Sequence, residues 1–130
     1  QRNHSLWLAY VIEAPGGPVY FSGDTGYDDH FAESGARFGP FRLALLPIGA
    51  YQPRWLTAYQ HTSPADAVQA HRDLNAARSL GVHFGTFQLS EEGQQQPVAD
   101  LAQAVSAAGL SDSAFVAPVF GRAYRIDPLP

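Results

Sequence analysis

Asp24 and His83 are the residues whose type and placement could do chemistry together. Asp24 sits in "YFSGDTGYDDHF" and His83 in "RSLGVHFGTF"; each follows an apolar run and lies between glycines, Gly23 and Gly26 around the aspartate, Gly81 and Gly85 around the histidine. Glycine lets a backbone turn sharply and approach a neighbour closely. A carboxylate and an imidazole delivered to one place are donors that a divalent cation takes. A plainer role fits each residue too. "GDTG" is also a strand-to-helix turn whose aspartate caps the next helix, and a lone histidine is often a packed, hydrogen-bonded one. Spacing alone leaves both open.

The elements that must position these residues can be read from the apolar pattern. Residues 6–13, "LWLAYVIE", and the run "VYFSG" flank the turn "APGGP" and read as a β-hairpin. Residues 28–37, "DDHFAESGAR", carry acidic groups in the first turn, which favours the positive end of a helix, and Gly35 weakens its end. "FRLALLPIG", residues 41–49, is apolar throughout and reads as a strand covered on both faces. A long polar and aromatic loop, "AYQPRWLTAYQHT", follows. "SPADAVQAHRDL" then has Ser63 as N-cap, Pro64 at the first helical position and Asp66 in the first turn. The next strand ends around His83. After a polar linker, "QLSEEGQQQ", apolar residues at 98, 101, 102 and 105 give a helix that stops at Gly109. "AFVAPVF" and "RAYRI" read as closing strands. Strands alternating with helices predict an α/β fold with a largely parallel sheet, and in such sheets ligands collect at the carboxyl ends of the strands. Asp24 and His83 both fall at such ends.

Composition bounds the partners. The chain has 130 residues, the size of one domain; its 8 basic residues are all arginines against 12 acidic ones, and no basic run occurs. That balance argues against nucleic acid. With no cysteine, a disulfide or thiolate metal site is impossible, so any metal must use histidine and carboxylate. No apolar run approaches the roughly 18–20 residues of a membrane span, and no basic-then-apolar signal opens the sequence. A soluble protein is expected, cytoplasmic or peripherally associated with a membrane. The opening "QRNHSLW", with no methionine anywhere, reads as a piece of a longer gene product.

"GDTGYDDHF", "RFGPFRLALLPIGAYQPRW", "YQHTSPADAVQAH" and "VHFGTFQL", in this order, resemble the carboxyl-terminal half of the metallo-β-lactamase-fold phospholipases D that hydrolyse N-acylphosphatidylethanolamines, and of their bacterial relatives. The resemblance runs from about residue 3 to residue 126, and "PIGAYxPRW" is its most specific phrase. It implies two zinc ions in the intact fold, bridged by Asp24, with His83 binding one of them. A carboxylate suits bridging because each oxygen can meet a cation. The family's other ligands lie in an H-x-H-x-D-H motif and a "QHW" phrase, neither of which occurs here. His4, in "RNHSLW", matches the segment after that missing ligand. His61 matches a histidine facing the family's catalytic pocket, which implies a role in orienting phosphate or in proton transfer; capping the helix that begins near Ser63 would explain it equally. Tyr51, Arg54, Trp55 and Tyr59 form an aromatic and basic loop beside that pocket. Arg54 would pair with a substrate phosphate or an internal carboxylate, and Trp55 and Tyr59 would face acyl chains, although loop packing accounts for the same residues. His71 and His30 read as surface residues, with His30 near the entrance.

The fold expected is therefore the carboxyl-terminal αβ half of a metallo-β-lactamase αββα sandwich, one domain over residues 1–130, with a mixed sheet and helices on one face. The uncovered face implies the missing amino-terminal half or self-association as a dimer. The expected function is part of a zinc-dependent phosphodiesterase of phospholipase D type acting on a small-molecule or lipid substrate, with the fragment alone inactive. Hydrolysis of another ester, lactone or diester, and a non-catalytic binding or interaction module, are the alternatives.

Overall fold

The apolar runs pair side by side in the order in which they occur along the chain. The computed structural model describes residues 7–130, and His4 lies outside the described residues. Its elements are β1 (Tyr10–Ile12), β2 (Val19–Phe21), α1 (His30–Phe38), β3 (Leu43–Pro47), α2 (Arg54–Thr57), α3 (Pro64–Asp73), β4 (Ser79–Val82), α4 (Gln96–Ala107) and β5 (Phe115–Val116). The sheet runs β1-β2-β3-β4-β5. β1 and β2 form the antiparallel hairpin, and β2 to β5 are parallel. Parallel neighbours need a crossover, which α1, α3 and α4 supply. The loop after β3 holds one short helical turn, α2, that the polar and aromatic pattern did not reveal.

Register sorts the sheet into two faces. Tyr20, Ala44, Ser79 and Phe115 lie in one paired row and all are buried. The next row, Phe21, Leu45, Leu80 and Val116, is only half-buried, and it continues to the exposed Tyr10 of β1. Strand side chains alternate between faces, so the helices seal one face and leave an apolar row on the other. Under the helices, Tyr20 meets Phe41 edge-on at 5.3 Å between ring centroids and Phe31 of α1 at 6.1 Å. Gly35 does more than weaken the end of α1. A Cβ there would stand 2.0 Å from the carbonyl oxygen of Asp73, so glycine is what lets α1 cross α3.

α3 begins as its sequence predicts. The Ser63 hydroxyl accepts from the Asp66 amide at 3.2 Å, the Asp66 carboxylate accepts from the Ser63 amide at 2.9 Å, and Pro64 opens the helix. This reciprocal pair satisfies two amides that a helix start otherwise leaves unbonded.

Two expectations are corrected. "RAYRI" is not a strand. After β5 the chain crosses the amino ends of the parallel strands instead: Arg78 Nη1 donates to the Arg125 carbonyl at 3.3 Å and the Leu129 amide to the Gly16 carbonyl at 2.8 Å. Those partners draw it across the sheet rather than along the edge of β5. His71 is not a surface residue. It is 5% exposed, with Nδ1 2.8 Å from the Ser79 hydroxyl, because its turn of α3 faces the sheet.

Burial lowers the pKa of His71, and the charge of Arg72 adds to the effect. The folded chain therefore holds it neutral, whereas the unfolded chain takes up a proton near the ordinary value of about 6.5. Its contribution to stability is present above that value and is lost as pH falls through the lower folded pKa. Denaturant midpoints measured at neutral pH and near pH 5 should fall on acidification, and the fall should be smaller in His71→Gln. An equal fall in both would show that other groups carry it.

Candidate metal centre

Because β2, β3 and β4 are adjacent and parallel, the loops that leave their carboxyl ends start side by side. Asp24 follows β2, the segment 48–63 follows β3, and His83 is the first residue after β4. The result is a direct approach: Asp24 Oδ2 lies 3.3 Å from His83 Nε2, and the His61 ring stacks beside the His83 ring at 5.2 Å and 24°. The Asp24 side chain is 63% exposed and that of His83 21%, so the pair opens toward solvent through the carboxylate. Nδ1 of His61 and Nδ1 of His83 are buried without a hydrogen-bond partner among the described residues. Among the described residues no group of three or more histidines and carboxylates is close enough to hold a metal ion.

Each loop is fastened by its own polar contacts. His83 has φ 59° and Ala50 φ 62°, left-handed values that cost a side-chain-bearing residue strain. At Gly49 a Cβ would stand 2.1 Å from the His83 carbonyl oxygen, so only glycine allows the turn after β3 to lie against the His83 backbone. Beyond that turn, the Thr62 hydroxyl donates to the Pro47 carbonyl at 2.6 Å. Arg54 donates to the His61 carbonyl at 2.9 Å and forms an ion pair with Asp66 at 2.6 Å. Arg54 thus ties α2 to His61 and to the capped start of α3.

These contacts place the remaining sequence candidates. Tyr51 is 2% exposed and its hydroxyl donates to Asp100 at 2.5 Å; burial and that bond raise its pKa. Arg54 takes the internal carboxylate of the two partners the sequence allowed. Trp55, Leu56 and Tyr59 are 82%, 51% and 66% exposed. Trp7, Leu8, Asp24, Gln60 and His61 line an open recess of about 400 Å³. A second recess of about 530 Å³, apolar with Val82, Phe84, Leu89 and Phe120, adjoins His83. Burial lowers the pKa of His61, the neighbouring His83 lowers it further, and Asp24 and Glu92 oppose both. His30 lies at the start of α1 with Nε2 3.4 Å from the Thr25 hydroxyl.

Glu92 was missed. Within "QLSEEGQQQ" it looks like one more solvated acid, but its carboxylate accepts from the Ala50 amide at 2.7 Å, the Gln52 amide at 3.0 Å and the Ser90 hydroxyl at 2.6 Å. Its burial raises the pKa, and these bonds outweigh that and lower it. No local pattern signals such a role, since two of its partners lie forty or more residues away.

The sequence profile of the Beta-lactamase superfamily domain matches residues 1–84. The chain belongs to that superfamily. This beta-lactamase superfamily chain is 37% identical over 127 residues to the N-acyl-phosphatidylethanolamine-hydrolyzing phospholipase D 1 of Caenorhabditis elegans, covering 95% of this chain and 36% of that protein. It is 38% identical over 128 residues to the mitochondrial N-acyl-phosphatidylethanolamine-hydrolyzing phospholipase D of Saccharomyces cerevisiae, covering 96% of this chain and 27% of that protein. It therefore spans well under half the length of either relative. Among solved structures it resembles the metallo-beta-lactamase fold protein YhfI of Bacillus subtilis, with TM-score 0.60 and 17% identity over 85% of this chain and 40% of that one. The α/β mixed sheet with its helices is thus that of the metallo-β-lactamase fold.

Arg54→Met should lower stability by about 1–2 kcal/mol, since it removes the cation paired with the Asp66 carboxylate, which keeps only the Ser63 amide, and leaves the His61 carbonyl without its donor. Arg54→Lys, which cannot reach both, should recover only part of that. Denaturant unfolding of the three proteins tests it; no change in Arg54→Met would mean that α2 is held by other contacts.

Proposed function

We propose that this chain is the carboxyl-terminal αβ half of a metal-dependent hydrolase, a phosphodiesterase of phospholipase D type acting on N-acylphosphatidylethanolamine-like lipids. The observation that carries the reading is the 3.3 Å approach of Asp24 Oδ2 to His83 Nε2 at the carboxyl ends of two parallel strands. The likeness to two phospholipases D supports the substrate class.

The donor set fits zinc. Among the described residues the Asp24 carboxylate is bonded to no side chain but His83, and it faces solvent, so it could lie between two cations and offset their charge. His83 offers Nε2 on the same side. Zinc in catalytic sites takes about three protein ligands, so further donors would come from parts of the protein outside these 130 residues. When bound, a zinc pair supplies Lewis acidity toward a phosphoryl oxygen and a hydroxide source near neutral pH. His61, kept neutral by its lowered pKa, can accept a proton or hold a phosphate oxygen beside His83. Tyr51 and Arg54 shape the loop from within, and Trp55 and Tyr59 face outward, where acyl chains or a membrane surface would meet them. No helix among the described residues is long and apolar enough to cross a membrane.

Metal analysis of the full-length protein, with assays against an N-acylphosphatidylethanolamine, a simple phosphodiester and a lactone, tests the reading. Bound zinc and hydrolysis of the lipid are expected, each lost by roughly 100-fold or more in Asp24→Asn and His83→Ala. Turnover of only the lactone or simple diester would keep the hydrolase and replace the substrate. Neither metal nor turnover would leave a binding module.

The half-buried row Phe21, Leu45, Leu80 and Val116 with exposed Tyr10 and Ile12 is the surface that the amino-terminal half would cover. Produced alone, these 130 residues should pair as a dimer through that face. Light scattering that finds a monomer at high concentration would overturn this.

A further inference from the structure

We propose that Glu92 is a positioning residue for His83, acting through the turn that links β3 to α2; the inference rests on the reading of His83 as a metal ligand. Three structural facts carry it. The Glu92 carboxylate receives the Ala50 amide on one oxygen and the Gln52 amide on the other, with the Ser90 hydroxyl as a third donor. The amide it holds at Ala50 belongs to a residue with φ 62°, which a side chain disfavours and which must be held from outside. The residue before it, Gly49, packs so tightly on the His83 carbonyl that a Cβ would stand 2.1 Å away. The Glu91 amide also meets the Gln52 carbonyl, at 3.4 Å, and the buried Tyr51 side chain reaches Asp100.

The chain of contact therefore runs from Glu92 to the Ala50 amide, through Gly49, to the backbone of His83, which itself has φ 59°. Among the described residues no hydrogen bond or ion pair joins Glu92 to the imidazole, and the bonded route between them runs through the backbone. Two donors aimed at one carboxylate cannot both be kept by a carboxamide, whose NH2 would face one of them. Glu92→Gln changes size little and so breaks the turn without emptying the space.

The test uses the full-length protein stripped of metal by chelation and labelled at histidine. In Glu92→Gln the His83 ring resonances should shift and broaden before any metal is added, whereas Glu91→Gln, at an exposed neighbour, should leave them in place. Cobalt(II) titration, followed by its visible absorption, should then show an affinity lower by about 10-fold to 100-fold in Glu92→Gln. Ala50→Gly in the Glu92→Gln background should restore both readouts, because glycine adopts the left-handed conformation without the clamp. The same double variant keeps the test alive if Glu92→Gln alone fails to fold. Unmoved His83 resonances in Glu92→Gln would overturn the positioning role, as would a double variant no better than the single one. A wild-type protein that binds no cobalt but whose resonances move on Glu92→Gln would instead overturn the metal reading and leave the positioning intact.

Discussion

The parallel register of β2, β3 and β4 is the constraint on which the site depends. Neighbouring strands stand about 4.8 Å apart, so residues that leave their carboxyl ends start within side-chain reach of one another whatever the loops do next. The pairing Leu46 with Gly81 and Pro47 with Val82 fixes where β4 stops relative to β3. A slip of one residue would turn Ser79 and Gly81 away from the helices and replace them with Leu80 and Val82, at the cost of the buried face. The core that holds the fold together thus also sets the distance between Asp24 and His83.

Around that frame the loops are fastened by polar contacts that cross long stretches of sequence. Asp66 serves twice, capping α3 and pairing with Arg54, so the start of a helix and the position of the His61 backbone are settled by one carboxylate. Tyr51 reaches to α4 and Thr62 back to the end of β3. The imidazoles inherit a rigid backbone, while the Asp24 carboxylate stays open to solvent. That division suits a place where something must enter and bind: the supporting groups Arg54, Glu92 and Thr62 are bonded, and Nδ1 of His61 and of His83 lies unpartnered among the described residues where the loops converge.

What could be read from the sequence follows the range of the interaction. The Ser63–Pro64–Asp66 start of α3, the parallel order of strands and the placing of Asp24 and His83 at strand ends all rest on local signals, namely caps, apolar runs and glycines. His71 was misread because one polar residue on a short helix does not reveal which side of that helix meets the sheet; its partner Ser79 lies eight residues away, on β4. Gly35 looked like a weak helix end, although its reason is the passing backbone of Asp73. "RAYRI" has the composition of a strand but lacks a neighbour to pair with, and pairing rather than composition makes a strand. The polar run containing Glu92 gave no sign at all, because its partners are amides, which every residue has.

The two ends of the sheet are treated in opposite ways, and this asymmetry has a physical basis. At the amino ends of the parallel strands, the residues after β5 cross from Arg78 to the hairpin loop, where Pro128 and Leu129 pack on Gly16 and Gly17. Those bonds lay main chain across that end of the sheet. At the carboxyl ends no such strap exists among the described residues, and the connecting segments are longer and carry Asp24, His61 and His83. A sheet whose strands are short, two to five residues here, cannot rely on ladder hydrogen bonds alone to hold both ends. Covering one end with the tail and bolting the other through side chains such as Arg54, Tyr51 and Glu92 lets the open end remain both ordered and accessible.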